Sequence, residues 1–445
     1  MKSVHTYQQH TTTIISSTPS NAAAAQTAML SDTQQRQQQP PAAAFCVVPL
    51  PGKGMGCVSA RDIHAGERLI AEAPLVELQG SVRADGSVFY LTSSKDKSGQ
   101  AWINCEPLTA VVDALSAEDR VRFFSLCVNE RKFGRGGKTA AAIFSTNAIP
   151  YRRSSRDGRS AGAPCSAVFA TIARFNHACA PNAKYSWNET LGQLTVHAIQ
   201  SISAGHEVCV SYGYHAGALT HDLRRQRLQK SFGFECDCAK CSLTGSALDA
   251  SERRLSEIGT SLELATLAET LHADHVPSAL NILWRMEARY ALYQAESPGA
   301  PFFGLEAELL SFVSFCDLMV TRIEGIIAAS AAPVSDGKQQ PLVISQQQPS
   351  VPGLIATAQS PGHLRHSAAI FRTAARRWAT ESRDVCLLMQ GADAPAVQAL
   401  TAALESCWLE SSGAGAGACH DGSLSGFAAL WQAYNGFDGR RLIMR

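Results

Sequence analysis

The chain is poor in charge and has no surplus of either sign: 17% of its 445 residues are Asp, Glu, Lys or Arg, and the formal net charge is +1. Overall charge therefore points to no polyanionic partner. No apolar run reaches the ~18 residues that spanning a bilayer needs, so no membrane role is expected. The N-terminal stretch lacks the contiguous apolar core of a secretory signal. With only Lys2 and Arg36 for positive charge, it is also a poor mitochondrial presequence. A reducing compartment is the expectation, nuclear or cytoplasmic, and cysteines are then not disulfide staples by default. No internal repeat with a clean period is visible.

What is present is a 45% hydrophobic composition, enough for a substantial core divided into about two or three domains. Residues 1–44 are rich in Gln, Thr, Ser and Ala and cannot bury enough apolar surface to offset ordering entropy; disorder is expected there. Gln, Pro, Ser and Gly alternate over 328–362, which reads as a linker within the C-terminal region 246–445. Between Arg120 and Arg159 basic residues outnumber the acidic Glu130 and Asp157, and a solvated basic loop is the expected reading. Direct nucleic-acid binding is not expected from it.

Short apolar pairs between turn residues, from Phe45 to Leu78, predict small strands with tight turns. The period changes over 107–133, where Leu108, Val111, Val112 and Leu115, then Val121, Phe124 and Cys127, are spaced for helices. A helical insert over about 80–165 is therefore predicted to interrupt the strands. Strand character returns at Leu194–Ile199 and Val208–Ser211. Beyond Ser246 the apolar spacing is helical throughout, as at Leu255, Ile258 and Leu262, or Leu309, Val313 and Cys316.

Of the 14 cysteines, most read as small buried hydrophobes: Cys46, Cys57, Cys105, Cys127, Cys209, Cys316, Cys386 and Cys407. Cys236, Cys238 and Cys241 differ, because they sit among charges and a turn. Three thiols that close cannot pair off, and Cys238-x-x-Cys241 has the bite of a tetrahedral zinc site. A fourth ligand must come from elsewhere, and Cys179 is the candidate.

Four blocks together carry a resemblance. Lys53-Gly54-Met55-Gly56 resembles a K-G-x-G opening, and Arg174-Phe-Asn176-His177-Ala178-Cys179-Ala-Pro-Asn182 resembles R-x-N-H-S-C-x-P-N. Gly205-His-Glu207-Val-Cys-Val-Ser211-Tyr212-Gly213 resembles G-E-E-x-x-x-x-Y-G, and Phe232-Gly-Phe234-Glu-Cys236-Asp-Cys238-Ala-Lys-Cys241 resembles a cysteine-rich post-SET tail. The chain thus resembles the SET-domain protein methyltransferases, in particular the SMYD-like branch with a split SET domain. It departs from that branch in two places. Position 178 is Ala where Ser is usual, and 81–164 hold only Cys105 and Cys127, too few for a MYND zinc finger.

The resemblance implies an α+β chain: a SET-type fold of small sheets over 45–245, with a helical insert and a zinc-binding post-SET tail at 232–243, then a helical C-terminal region. It also implies a protein-lysine N-methyltransferase using S-adenosylmethionine. In that reading Lys53, Gly54, Met55, Gly56, Asn176, His177 and Phe234 hold the cofactor. Tyr212 lies beside the transferring methyl, contacts the cofactor and orients the amine. Cys179, Cys236, Cys238 and Cys241 share one structural zinc. The expected partner is a protein presenting a lysine, histone or otherwise, to a monomeric enzyme; Tyr185, Trp187 and Tyr214 are candidates for the wall of the lysine channel. A SET-derived scaffold without catalysis and a zinc-dependent nucleic-acid binder are the competing readings. The intact Gly54, Asn176, His177 and Tyr212 favour the enzyme.

Overall fold

The computed structural model describes residues 43–82, 88–90, 92–95, 101–154, 161–213, 219–260, 276–301, 304–331 and 361–406. The expected disorder of 1–44 and most of the 328–362 linker fall outside these residues, as do Leu262, Tyr214 and Cys407.

The first hairpin is built by its turn. Strands β1 (Phe45–Leu50) and β2 (Gly54–Ser59) pair antiparallel from Phe45↔Ser59 to Leu50↔Gly54. The reversal needs left-handed backbone, supplied by Gly52 at φ 72° and Gly54 at φ 74°. β3 (Arg68–Glu72) and β4 (Val76–Gln79) follow, then four short strands: β5 (Ser81–Val82), β6 (Val88–Phe89), β7 (Thr92–Lys95) and β8 (Ala101–Asn104). The insert also carries α1 (Glu106–Asp113), α2 (Ala117–Phe124), α3 (Glu130–Phe133) and α4 (Ala140–Asn147). Ser116, Asn129 and Thr139 cap α2, α3 and α4, each accepting the backbone N–H of the third residue of its helix. The insert is thus partly strand as well as helix. Its last hairpin, β9 (Ile149–Ser154) and β10 (Ala161–Val168), adds to β4 to make a three-stranded sheet.

A second three-stranded sheet has the order β12 (Ala183–Asn188), β13 (Gln193–Ala198), β3. Between the sheets, β11 (Asn176–His177) runs parallel to β14 (Cys209–Val210), with Asn176 opposite Cys209 and His177 opposite Val210. Asn182 stitches the crossing: its Nδ2 donates to the Glu207 carbonyl at 2.9 Å and its Oδ1 accepts from the Cys209 N–H at 2.8 Å. Val208 N–H reaches back to the Cys57 carbonyl of β2 at 2.7 Å. Three segments far apart in sequence are therefore pinned side by side, and the residues of all four sequence blocks converge there.

Helix α5 (His221–Phe232) leads into the cysteine tail. It is followed by α6 (Gly245–Thr260), α7 (Val276–Glu296), α8 (Leu305–Ala331), α9 (Pro361–Gln390) and α10 (Pro395–Ser406). These last helices share a core in which Phe312, Phe371 and Trp378 are buried, with Leu255, Ile258, Leu309, Val313 and Cys316 on the inward faces. Ion pairs tie them to the sheets: Lys184 of β12 with Glu306 of α8, and Arg68 of β3 with Asp393. Among the described helices none is long and apolar enough to cross a membrane.

Cysteine burial is mixed. Cys57, Cys209, Cys316 and Cys386 are buried as expected of small hydrophobes, and so is Cys165. Cys46 and Cys127 are exposed and Cys105 only half-buried, because β1 lies at a sheet edge and Cys127 lies in the loop beyond the end of α2.

Candidate functional site

The K-G-x-G turn places its residues differently from one another. Gly54 ends the turn in the left-handed region, with open space around its Cα apart from Cys127 Sγ at 3.9 Å from where a Cβ would stand. Gly56 is limited by contact: a Cβ there would lie 2.3 Å from Leu50 Cδ1 and 2.7 Å from Asn176 Nδ2. Met55 between them is half-buried. Lys53 points sideways, its Nζ 3.1 Å from Glu207 Oε2 and 3.5 Å from Asp237 Oδ1. Burial pulls the Lys53 pKa down, but the hydrogen bond and charge of Glu207 outweigh it and leave the ammonium favoured.

Asn176 donates from Nδ2 to Glu207 Oε1 at 2.8 Å. The next residue, His177, is buried, and both ring nitrogens are engaged. Nδ1 accepts the Tyr212 backbone N–H at 3.0 Å, so Nε2 carries the proton and aims it at Cys179 Sγ, 3.3 Å away. The imidazole thus links the end of β14 to the cysteine cluster.

Tyr212 is enclosed by aromatics: ring centroids lie 5.2 Å from His177, 4.7 Å from Phe232 and 6.3 Å from Phe234. Burial pushes its phenol well above the ordinary tyrosine range, and the hydroxyl donates to the Phe175 carbonyl at 3.0 Å. A neutral, anchored phenol oxygen with a free lone pair is held at the crossing. Phe234 also approaches His177 at 6.1 Å, so the tail reaches over the Asn176–His177 strand.

The four cysteines named from sequence come together: the Sγ atoms of Cys179, Cys236, Cys238 and Cys241 all lie within 4.8 Å of one another. Cys179 Sγ is 3.9 Å from Cys236 Sγ and 3.4 Å from Cys241 Sγ. Thiolates at about 2.3 Å around a tetrahedral ion are roughly 3.8 Å apart, so the spacing fits zinc. Cys241 N–H turns back to the Cys238 carbonyl at 2.8 Å, and Cys179 N–H donates to Cys238 Sγ at 3.3 Å, the tight turn and amide donors that thiolate ligands favour. Hydrogen bonds from Cys179 and then from its neighbours hold Cys238 far below the usual thiol range and bring Cys241 to about 7, while the surrounding sulfurs, Cys236 first, push Cys179 up.

Two clefts flank this centre. One, of about 410 Å³, lies between α3 and the end of α5 and is lined by Asn129, Glu130, Arg131, Arg135, Phe232 and Gly233. The fit there is close: a Cβ at Gly233, whose φ is 81°, would lie 2.5 Å from Asn129 Oδ1. The other encloses about 50 Å³ between the sheet, the tail and the C-terminal helices, with Tyr185, Ser211, Lys240, Glu296 and Met389 in its wall. Trp187 does not line it; its ring stacks on Tyr151 at 4.2 Å. Of the basic stretch, Arg120, Arg122 and Arg153 pair with Asp113, Asp119 and Glu77.

Sequence reasoning assigned no role to Glu207, Asn182, Asn129 or Lys240. The available signal was that Asn182 and Glu207 both stand inside the quoted sequence blocks.

Residues 54–213 match the model of the SET domain family. The histone-lysine N-methyltransferase set5 of Schizosaccharomyces pombe is 28% identical over 201 residues, covering 44% of this chain and 50% of that protein. The N-lysine methyltransferase SMYD2-B of Xenopus laevis is 42% identical over 77 residues, 17% of each. The protein-lysine N-methyltransferase SMYD4 of Mus musculus is 35% identical over 74 residues, 17% of this chain and 9% of that one. The chain thus spans half or less of the length of these relatives.

Proposed function

We propose that the chain is an S-adenosylmethionine-dependent protein-lysine N-methyltransferase. The observation that carries this reading is the convergence at Tyr212: a neutral phenol anchored to the Phe175 carbonyl, walled by His177 and by Phe232 and Phe234 of the tail. When bound, the cofactor supplies a methyl group on a positively charged sulfur, which leaves without acid assistance. The protein's task is then mainly placement.

Gly54 and Gly56 keep the turn free of side chains, Asn176 offers amide groups, and Phe234 covers the pocket from the tail. A target lysine, with an ordinary pKa of about 10.4, must be neutral to attack. The aromatic surround of Tyr212 strips it of water and favours the uncharged amine, while the Tyr212 oxygen orients it. The substrate class is a lysine of a histone or another protein, met by a monomer in nucleus or cytoplasm. The four cysteines would hold one structural zinc that ties Cys179 of the SET core to the tail.

Saturable binding of S-adenosylmethionine by isothermal titration tests the reading; no binding at millimolar cofactor would favour the scaffold. Tyr212→Phe should leave the fold and cofactor affinity nearly intact and lower turnover about tenfold or more, a transition-state cost of about 1.4 kcal/mol. Unchanged turnover would remove Tyr212 from the reaction.

A further inference from the structure

One carboxylate, Glu207 of the block that ends at Tyr212, joins the Lys53 turn to Asn176. Glu207 accepts from Asn176 Nδ2 through Oε1 at 2.8 Å and from Lys53 Nζ through Oε2 at 3.1 Å. Its own backbone is fixed: the carbonyl accepts from Asn182 Nδ2 at 2.9 Å, and the residue bridges to Val58 of β2. The side chain therefore leaves a rigid point and ends on two donors that come from different segments.

We propose that Glu207 is a positioning residue of the cofactor pocket, setting the amide orientation of Asn176 and holding the Lys53 turn beside it. This rests on the reading of the pocket as a site for S-adenosylmethionine. A carboxylate only accepts, so Asn176 must turn Nδ2 toward it, and the acceptor Oδ1 is thereby turned away from Glu207. The orientation is tight because Gly56 would carry any Cβ to 2.7 Å from that same nitrogen. Lys53, with two carboxylates at its ammonium, acts in the same frame as a strut from the turn to Glu207 and on to Asp237 of the tail. No neutral residue replaces Glu207 fully: a glutamine offers one carbonyl and must turn its NH₂ toward Asn176 or toward the ammonium.

The alternative is a surface ion pair of little consequence. That description fits the Lys53 arm, whose side chain is 39% exposed, better than the Asn176 arm, where Glu207 is 21% exposed and the bond is charge-assisted. The two arms therefore predict unequal effects.

The test is isothermal titration of S-adenosylmethionine into zinc-loaded full-length protein, with thermal unfolding and zinc content measured on the same samples. Glu207→Ala should weaken binding at least about tenfold and Glu207→Gln several-fold, while Lys53→Met weakens it only about twofold. Unfolding midpoint and zinc content should stay near wild type in Glu207→Gln, which keeps the shape and so carries the test if the alanine variant folds poorly. Wild-type affinity in both Glu207 variants overturns the positioning role and leaves the cofactor reading standing. So does a loss of affinity matched by loss of midpoint and zinc in both, which makes Glu207 merely structural, or a Lys53→Met effect as large as that of Glu207→Ala. A wild-type protein that does not bind the cofactor overturns both readings together.

Discussion

Replacing Gly56 by alanine would set a methyl group 2.3 Å from Leu50 Cδ1 and 2.7 Å from Asn176 Nδ2, and the two clashes differ in kind. Leu50 Cδ1 ends a flexible side chain that can turn aside for about 0.5–1.5 kcal/mol. Asn176 cannot yield without loosening its 2.8 Å hydrogen bond to Glu207. A hydrogen bond to a charged group contributes about 1.5–3 kcal/mol, so cofactor affinity should fall about tenfold or more. Gly52→Ala is the control, since its Cβ meets nothing within 4 Å, but its φ of 72° would be strained by about 1–2 kcal/mol. That cost falls on the hairpin. Gly52→Ala should lower the thermal midpoint and leave the affinity of the folded protein nearly unchanged. Adding Leu50→Ala to Gly56→Ala removes the first clash and not the second, so affinity should stay low. Titration calorimetry and thermal unfolding on the four proteins decide the matter. A Gly56→Ala protein that binds like wild type, with Gly52→Ala the weaker binder, would refute the argument that Asn176 is held by contact.

Metal analysis should find one zinc per chain, and Cys179→Ala should lower zinc content and cofactor affinity as much as Cys238→Ala does. Full zinc in Cys179→Ala would break the link between the Asn176–His177 strand and the tail. His197 gives a pH effect: burial first, then the charge of Arg68, hold its pKa down to about 4. Its Nδ1 finds no hydrogen-bond partner among the described residues. The unfolded chain binds a proton below about 6.5 that the folded chain refuses until about 4, so stability is complete above that window and lost as pH falls through it. From pH 7.5 to 5.5 the loss should be about 1 kcal/mol in chemical denaturation, and His197→Gln should reduce it. An equal pH slope in the variant would show that other groups carry the effect.

The site was legible where chemistry is local. Cys238-x-x-Cys241 announces a metal bite on its own, and the turn at Gly52 and Gly54 follows from two residues that tolerate positive φ. Cys179 came from the motif, and the structure puts it 3.4 Å from Cys241 Sγ. What stayed hidden depends on packing. β10 reads Ala-Gly-Ala-Pro-Cys-Ser-Ala-Val, small residues with a proline and no alternation, yet it is the middle strand of its sheet because β4 and β9 flank it. Cys127 has the spacing of an inward helical residue but lies beyond the end of α2, exposed. His177 looked suited to a cofactor through its ring; that both nitrogens are taken depends on Tyr212 and Cys179, and only the folded register shows it.

The C-terminal helices bear on the pocket through one buried charge. Lys240 sits between Cys238 and Cys241, and burial lowers its pKa, so the ammonium there is costly unless something answers it. Glu296 at the end of α7 does, with Oε1 2.8 Å from Lys240 Nζ and a side chain only 2% exposed. The same carboxylate accepts from Arg254 Nε at 2.9 Å and Ser251 Oγ at 2.6 Å, both on α6. A buried ion pair adds little net stability over an apolar contact, but removing one partner costs about 3–5 kcal/mol. Such an arrangement fixes a register more than it adds strength. The turn that carries two of the four thiols is therefore set by the metal ligands on one side and by α6 and α7 on the other. Where Phe234 comes to rest over His177 depends on both.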